Sequence, residues 1–155
     1  MPFLKGQEHH TIDNKGRVNI PAKMRKSVSP DANDTFVITR SVDKCIEAYP
    51  LDEWRKKEAR FEKLNQYNTR NRNFLRKVLM WSEEVVLDGQ QRITIPKKLL
   101  EFANITSKVI SVGMGDHIEI WDPVEFNKKM EEDEEPYEVV AELVMAPEHI
   151  SNLNV

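Results

Sequence analysis

The sequence predicts an α+β fold made of two tandem β-rich repeats joined by bridging helices. Two observations lead there. First, Asp13-Asn14-Lys15-Gly16-Arg17-Val18-Asn19-Ile20-Pro21 is echoed seventy-five residues later by Asp88-Gly89-Gln90-Gln91-Arg92-Ile93-Thr94-Ile95-Pro96. Asp, Arg and Pro keep identical offsets. Second, Ile46-Glu47-Ala48-Tyr49 is echoed by Ile118-Glu119-Ile120-Trp121, and Glu53-Trp54 by Glu125-Phe126. The order is kept while the offset shortens by three, which places a shorter loop in the second copy. Self-similarity of this kind reports a repeated structural unit. A chain of 155 residues leaves each half only a thin core, so the halves are expected to pack on each other.

Each element follows from local pattern. Residues 17–20 and 92–95 alternate polar and apolar, the period of a half-buried strand. Asp13 and Asp88 open the turns that lead in, and Gly16 and Gly89 can take positive φ without steric penalty. Pro21 and Pro96 end the strands and fit the first turn of the short helices over 22–26 and 97–102. A hairpin follows each helix. Residues 35–39 pair with 45–49 around Val42-Asp43-Lys44, and 108–112 pair with 117–121 around Gly113-Met114-Gly115-Asp116. Residues 51–64 and 69–81 are two longer helices with apolar residues on one face, the second including Trp81. Asp122-Pro123-Val124-Glu125 carries a helix start signal of N-cap acid, proline and glutamate. The resulting organisation is a first repeat over 5–54, bridging helices over 55–81, a second repeat over 82–126 and an acidic tail over 127–155. The tail reads as a charged, partly mobile segment ending in a short docking element.

Composition narrows the function. An apolar fraction of 39% with 32% charged residues suits a charge-rich globular protein. The single cysteine, Cys45, cannot form an internal disulfide and argues against a cysteine-based zinc site; its default role is a half-buried small hydrophobe. No export signal is visible at the N-terminus, and no apolar run approaches the ~20 residues a membrane span needs. These features predict a cytoplasmic protein with no membrane partner. Net charge is −3, yet the charge is polarised. Residues 5–26 and 55–77 are basic, whereas Glu131-Glu132-Asp133-Glu134-Glu135 begins an acidic end. The 55–77 run reads as a solvated helix face with internal ion pairs, such as those of Lys57 and Glu58, rather than as a second nucleic-acid surface.

Arg17 and Arg92 are the candidate binding residues. Each starts a strand, faces away from the core and sits beside a turn. A guanidinium presents a planar fork of donors that suits phosphate oxygens or the O6 and N7 of guanine. Lys15 adds a second cation on the first turn. Asp13 and Asp88 repel phosphate and read as orienters that cap the turn and hold each Arg. The same spacing equally describes an internal ion pair that only closes the turn. Other candidates are weaker. His9 and His10 are adjacent in an extended segment and point opposite ways, and His117 and His149 have no ligand-spaced partners, so no metal or other cofactor is expected. Gly113-Met114-Gly115 lacks the spacing of a phosphate cradle. Trp54, Trp81 and Trp121 read as packing residues. No convergent set of titratable groups suggests an enzyme.

The doubled Asp-x-x-x-Arg turn, each followed by apolar-x-Ile-Pro, resembles the MraZ family of bacterial transcriptional regulators. Tyr49-Pro50-Leu51-Asp52-Glu53-Trp54 and Glu119-Ile120-Trp121-Asp122-Pro123 add to the resemblance, which covers roughly residues 3–130. It implies that each copy is half of an AbrB/SpoVT-like swapped-hairpin domain, so that one chain forms an intramolecular pseudo-dimer barrel. It also implies closed homo-oligomeric rings that bind short direct repeats in double-stranded promoter DNA. The promoter of a cell-division and cell-wall operon is among the implied targets, which makes the protein nucleoid-associated. The family motif carries over to Asp13 and Arg17, and to Asp88 and Arg92; Lys15, Lys23 and Arg25 join the DNA-binding set from position and charge. One departure stands out. The family usually has glycine just before the motif Arg, as at Gly16, but the second copy has Gln91, and Gln90 where the first has Lys15. The second turn is therefore expected to bind phosphate less strongly. Several weak turns on one ring, meeting several repeats on one duplex, would bind through raised effective concentration. The alternative reading is an oligomeric protein-binding scaffold with structural Asp–Arg turns and no DNA affinity.

Overall fold

The computed structural model describes residues 3–149. The two Asp-opened turns lead into strands β2 (Arg17–Asn19) and β6 (Arg92–Thr94). These pair with each other, antiparallel, with Val18 opposite Ile93. Both expected hairpins form, as β3 (Thr35–Arg40) with β4 (Ile46–Pro50) and β7 (Lys108–Gly113) with β8 (Ile118–Trp121).

Two further strands complete the sheet and exchange the halves. β1 (Gln7–Thr11) leaves its own repeat and pairs with β7 of the second; β5 (Glu83–Val86) pairs with β3 of the first. β4 and β8 join the two hairpins at the centre, with Glu47 opposite Glu119. The six-stranded order is β1-β7-β8-β4-β3-β5. Its end strands are not paired with each other, so backbone ladders do not close the expected barrel into a ring of strands. In both central ladders a residue faces its own counterpart in the other repeat: Val18 faces Ile93 and Glu47 faces Glu119. A pseudo-twofold axis therefore runs through both ladders.

The core lies between the large sheet and the β2–β6 ladder. Val18, Ile20, Ile93 and Ile95 meet Phe36, Ile38, Ile46, Ala48, Val109, Ile118 and Ile120 there. The short helices α1 (Ala22–Arg25) and α4 (Lys97–Phe102) add Met24 and Leu99 from equivalent positions. Pro21 and Pro96 do not occupy the first turns of these helices. Each sits just before one, in extended conformation, and the Pro21 carbonyl accepts the Met24 and Arg25 N–H groups at 2.9 Å.

The bridging helices are α2 (Leu51–Glu62) and α3 (Thr69–Leu79), each two residues shorter than the sequence suggests. Trp54, Phe61 and Phe74 stack edge to face between them. Trp81 lies beyond α3 and packs on Phe102, 5.8 Å between ring centres, at the edge of the core. Lys57 donates to the Tyr49 hydroxyl at 2.8 Å rather than pairing with a carboxylate, while Lys56 pairs with Glu53. Cys45 is fully buried, not half-buried, beside Ile110 and Trp121. α5 (Pro123–Glu132) starts as its signal predicts, with Asp122 accepting the Val124 and Glu125 N–H groups. The tail then forms α6 (Tyr137–Val144), which has no fully buried residue and partly buries Val140 and Ala141. Among the described residues no helix is long and apolar enough to cross a membrane. The tail beyond residue 149 lies outside the described residues.

Candidate nucleic-acid interface

Each Asp–Arg pair is a closed local unit. Asp13 accepts the Lys15 and Arg17 backbone N–H groups through Oδ1, at 3.0 and 2.9 Å, and the Arg17 Nε through Oδ2 at 2.6 Å. Asp88 repeats the pattern, taking Gln90 N at 2.8 Å, Arg92 N at 3.0 Å and Arg92 Nε at 2.9 Å. Both carboxyls are held below the ordinary carboxylate range, first by the backbone N–H of the following Arg, against some opposing desolvation. The Asp thus shapes the turn and grips the guanidinium at one edge. Nε is the edge taken. Among the described residues nothing takes the terminal nitrogens of Arg17, and its side chain remains 31% exposed.

The β2–β6 pairing brings the two units together. Arg92 Nη1 lies 3.8 Å from Asp13 Oδ2, so the first carboxylate faces both guanidinium groups, and Arg92 is the less exposed at 21%. Asn19, which sequence reasoning did not single out, donates to the Gln90 carbonyl at 3.0 Å and ties one turn to the other. Its only signal in the sequence is its outward place between two core residues. Backbone bonds from Ile95 N to Gly16 O at 2.8 Å and from Ile20 N to Gln91 O at 3.1 Å interlock the turns further.

Within the paired turns the backbone turns left-handed at Gly16 and at Gln91, with φ of 80° and 62°. Gly89, expected to share that conformation, does not adopt it; Gln91 carries the burden in the second copy. A Cβ on Gly16 would sit 2.7 Å from the Ile95 carbonyl oxygen, so this glycine is required by space as well as by φ.

The cations are unequal. Lys15, two residues before Arg17, and Lys23, on α1, are both exposed. Their counterparts are Gln90, which is uncharged, and Lys98, whose ammonium donates to the Met80 carbonyl at 3.1 Å and lies over the Trp81 ring. Arg25 is half-buried. It lines a cleft of about 610 Å³ with Phe36, Leu87 and Gln91, and its Nε is buried without a hydrogen-bond partner. Of the candidate residues, Lys15, Arg17 and Arg92 belong to the paired turns, Lys23 stands exposed on α1, and Arg25 is drawn into this adjoining cleft.

A family model described as "MraZ protein, putative antitoxin-like" matches residues 3–77 and, a second time, residues 78–143. The chain belongs to the MraZ family. Both MraZ matches contain one Asp–Arg turn each, so the doubled motif falls one per matched unit.

One sequence reading needs correction. His117 does have ligand-type neighbours: it gathers with Glu47 and Glu119. Linear spacing hides this because β4 and β8 meet only through the central ladder. The side chain of His149 lies outside the described residues.

Proposed function

We propose that this MraZ-family chain is a non-enzymatic, sequence-specific DNA-binding transcriptional regulator. In this reading it occupies a promoter that carries short direct repeats, that of a cell-division and cell-wall operon, and acts at the nucleoid as a closed ring. One observation carries the reading: Arg17 is fixed by its Nε edge alone, which leaves the terminal fork for a phosphate or a guanine edge. Lys15 on the same turn and Lys23 on α1 supply exposed positive charge, and Arg92 adds a second, more restrained fork. Self-association is supported by apolar side chains left open on the helices, namely Phe74, Leu79 and Met80 around α3, and Val139, Leu143 and Val144 on α6.

The test is a titration against a duplex with direct repeats, beside a scrambled duplex, at about 50 and about 200 mM salt. The repeat duplex should bind more tightly, and affinity should fall steeply with salt. Arg17→Ala should weaken binding at least tenfold while particle mass stays unchanged. Equal binding of both duplexes, or no effect of Arg17→Ala, defeats the proposal. The scaffold reading predicts an intact oligomer with no duplex affinity at either salt.

A further inference from the structure

We infer that Glu47, His117 and Glu119 form a binding site for one divalent transition-metal ion of the zinc class. The site lies on the face of the sheet opposite the paired arginines and does not depend on DNA binding. Its place follows from strand alternation. Ile46, Ala48, Ile118 and Ile120 turn into the core, so Glu47 and Glu119 turn the other way. They stand directly across from each other on the pseudo-twofold axis. Two like charges in that relation destabilise a sheet unless something positive lies between them.

His117 supplies the third ligand. It precedes β8 and stacks on the Tyr49 ring, 4.7 Å between centres and 24° between planes. Its Nδ1 lies 2.7 Å from Asp116 Oδ1. A carboxylate can only accept, so Nδ1 carries a proton, and in the neutral imidazole Nε2 keeps a lone pair. That Nε2 is buried, has no hydrogen-bond partner, and lies 3.6 Å from Glu47 Oε2. With the ring neutral, two acceptors face each other at this distance, an arrangement that a cation between them satisfies. One ligand atom from each of the three residues falls within 4.8 Å of the others. In a tetrahedral site with bonds of about 2.0–2.1 Å, ligand atoms stand about 3.4 Å apart, so only a small closure is needed.

The surroundings are those of a supported site. Trp121 Nε1 donates to Glu119 Oε1 at 2.9 Å, and the Tyr49 hydroxyl donates to Glu47 Oε1 at 3.3 Å. Lys57 in turn donates to that hydroxyl at 2.8 Å. One oxygen of each carboxylate is thereby fixed. Asp116 does the same for the imidazole, the usual outer partner of a metal-bound histidine. One imidazole with two carboxylates suits zinc and its neighbours better than calcium or magnesium, which prefer all-oxygen sets. The counterpart of His117 in the first repeat is Cys45, which is buried and outside the cluster, so the described residues offer one such site rather than two.

The test uses the untagged full chain, first stripped with a chelator. Zinc is then added in competition with a chromophoric chelator, with magnesium as the control ion, while thermal unfolding and tryptophan emission are followed. One equivalent of zinc should bind, raise the unfolding temperature and change emission through Trp121. His117→Gln and Glu119→Gln should each weaken binding at least about tenfold, and Asp116→Asn by about 10–100-fold. His10→Gln should bind as the parent does. Circular dichroism of each variant establishes that it is folded. Absence of saturable zinc binding, or parental affinity in both folded ligand variants, overturns the site and leaves a protonated His117–Glu47 ion pair as the account of this cluster.

Discussion

Substituting the left-handed residue of each Asp–Arg turn should have opposite effects. Gly16→Ala places a Cβ at φ 80°, where a side chain costs about 1–2 kcal/mol. The new atom also meets the Ile95 carbonyl at 2.7 Å, so that strand must retreat. Retreat weakens the bond from Ile95 N to Gly16 O, now 2.8 Å, for a further loss of about 1 kcal/mol. Restricting the unfolded chain offsets about 0.4–1 kcal/mol. The net loss is about 2 kcal/mol, or roughly 4–8 °C in Tm for a chain of this size. Gln91→Gly relieves the strain at φ 62° and forfeits a similar entropy term, so it should gain up to about 1 kcal/mol. Both variants are to be compared with the parent by thermal and urea unfolding at one fixed protein concentration. A Gly16→Ala protein as stable as the parent, or a Gln91→Gly protein destabilised as much as Gly16→Ala, refutes the reasoning.

Leu99→Ala empties a fully buried position and should cost about 2–5 kcal/mol. Because β1 and β5 are exchanged between the repeats, it should lower a single unfolding transition common to near- and far-UV circular dichroism; two separated transitions would contradict the exchange. Burial lowers the pKa of His10, which bonds Ser111 Oγ at 2.8 Å, so the unfolded chain binds the proton more readily. Stability should therefore fall as pH drops from about 6.5 through the lowered folded value, and His10→Gln should flatten that part of a Tm-against-pH profile. Lys15→Ala and Lys23→Ala should each weaken binding evenly across duplex sequences and reduce the salt slope by about 1, measured by anisotropy at several salt concentrations.

What could be read from the chain was what its neighbours in sequence determine. The Asp–Arg turns are built from residues four apart, so their chemistry is visible in the motif, as are the Asp122 cap and the hairpins. The exchange of β1 and β5 is different. Glu83-Glu84-Val85-Val86 shows no alternation, and its partners in β3 lie almost fifty residues away. Glu47 and Glu119 likewise acquire each other, and His117, only through tertiary pairing. Gly89 was misleading because glycine permits a left-handed turn without requiring one; the register of the repeat puts that demand on Gln91. Helix ends were blurred where apolar spacing ran on past the last helical turn, as at Leu64 and Trp81.

Because each repeat completes its sheet with a strand from the other, a half on its own lacks the edge strand that its hairpin pairs with. Two separate polypeptides would have to find each other by collision, and dilution would dissolve them. Here the linker through α2 and α3 supplies the mate at a local concentration of the millimolar order, whatever the amount of protein in solution. Tethering also releases the two halves from identity. One keeps glycine and gathers cations while the other accepts glutamine and acquires an imidazole, a division of labour closed to any assembly of identical strands.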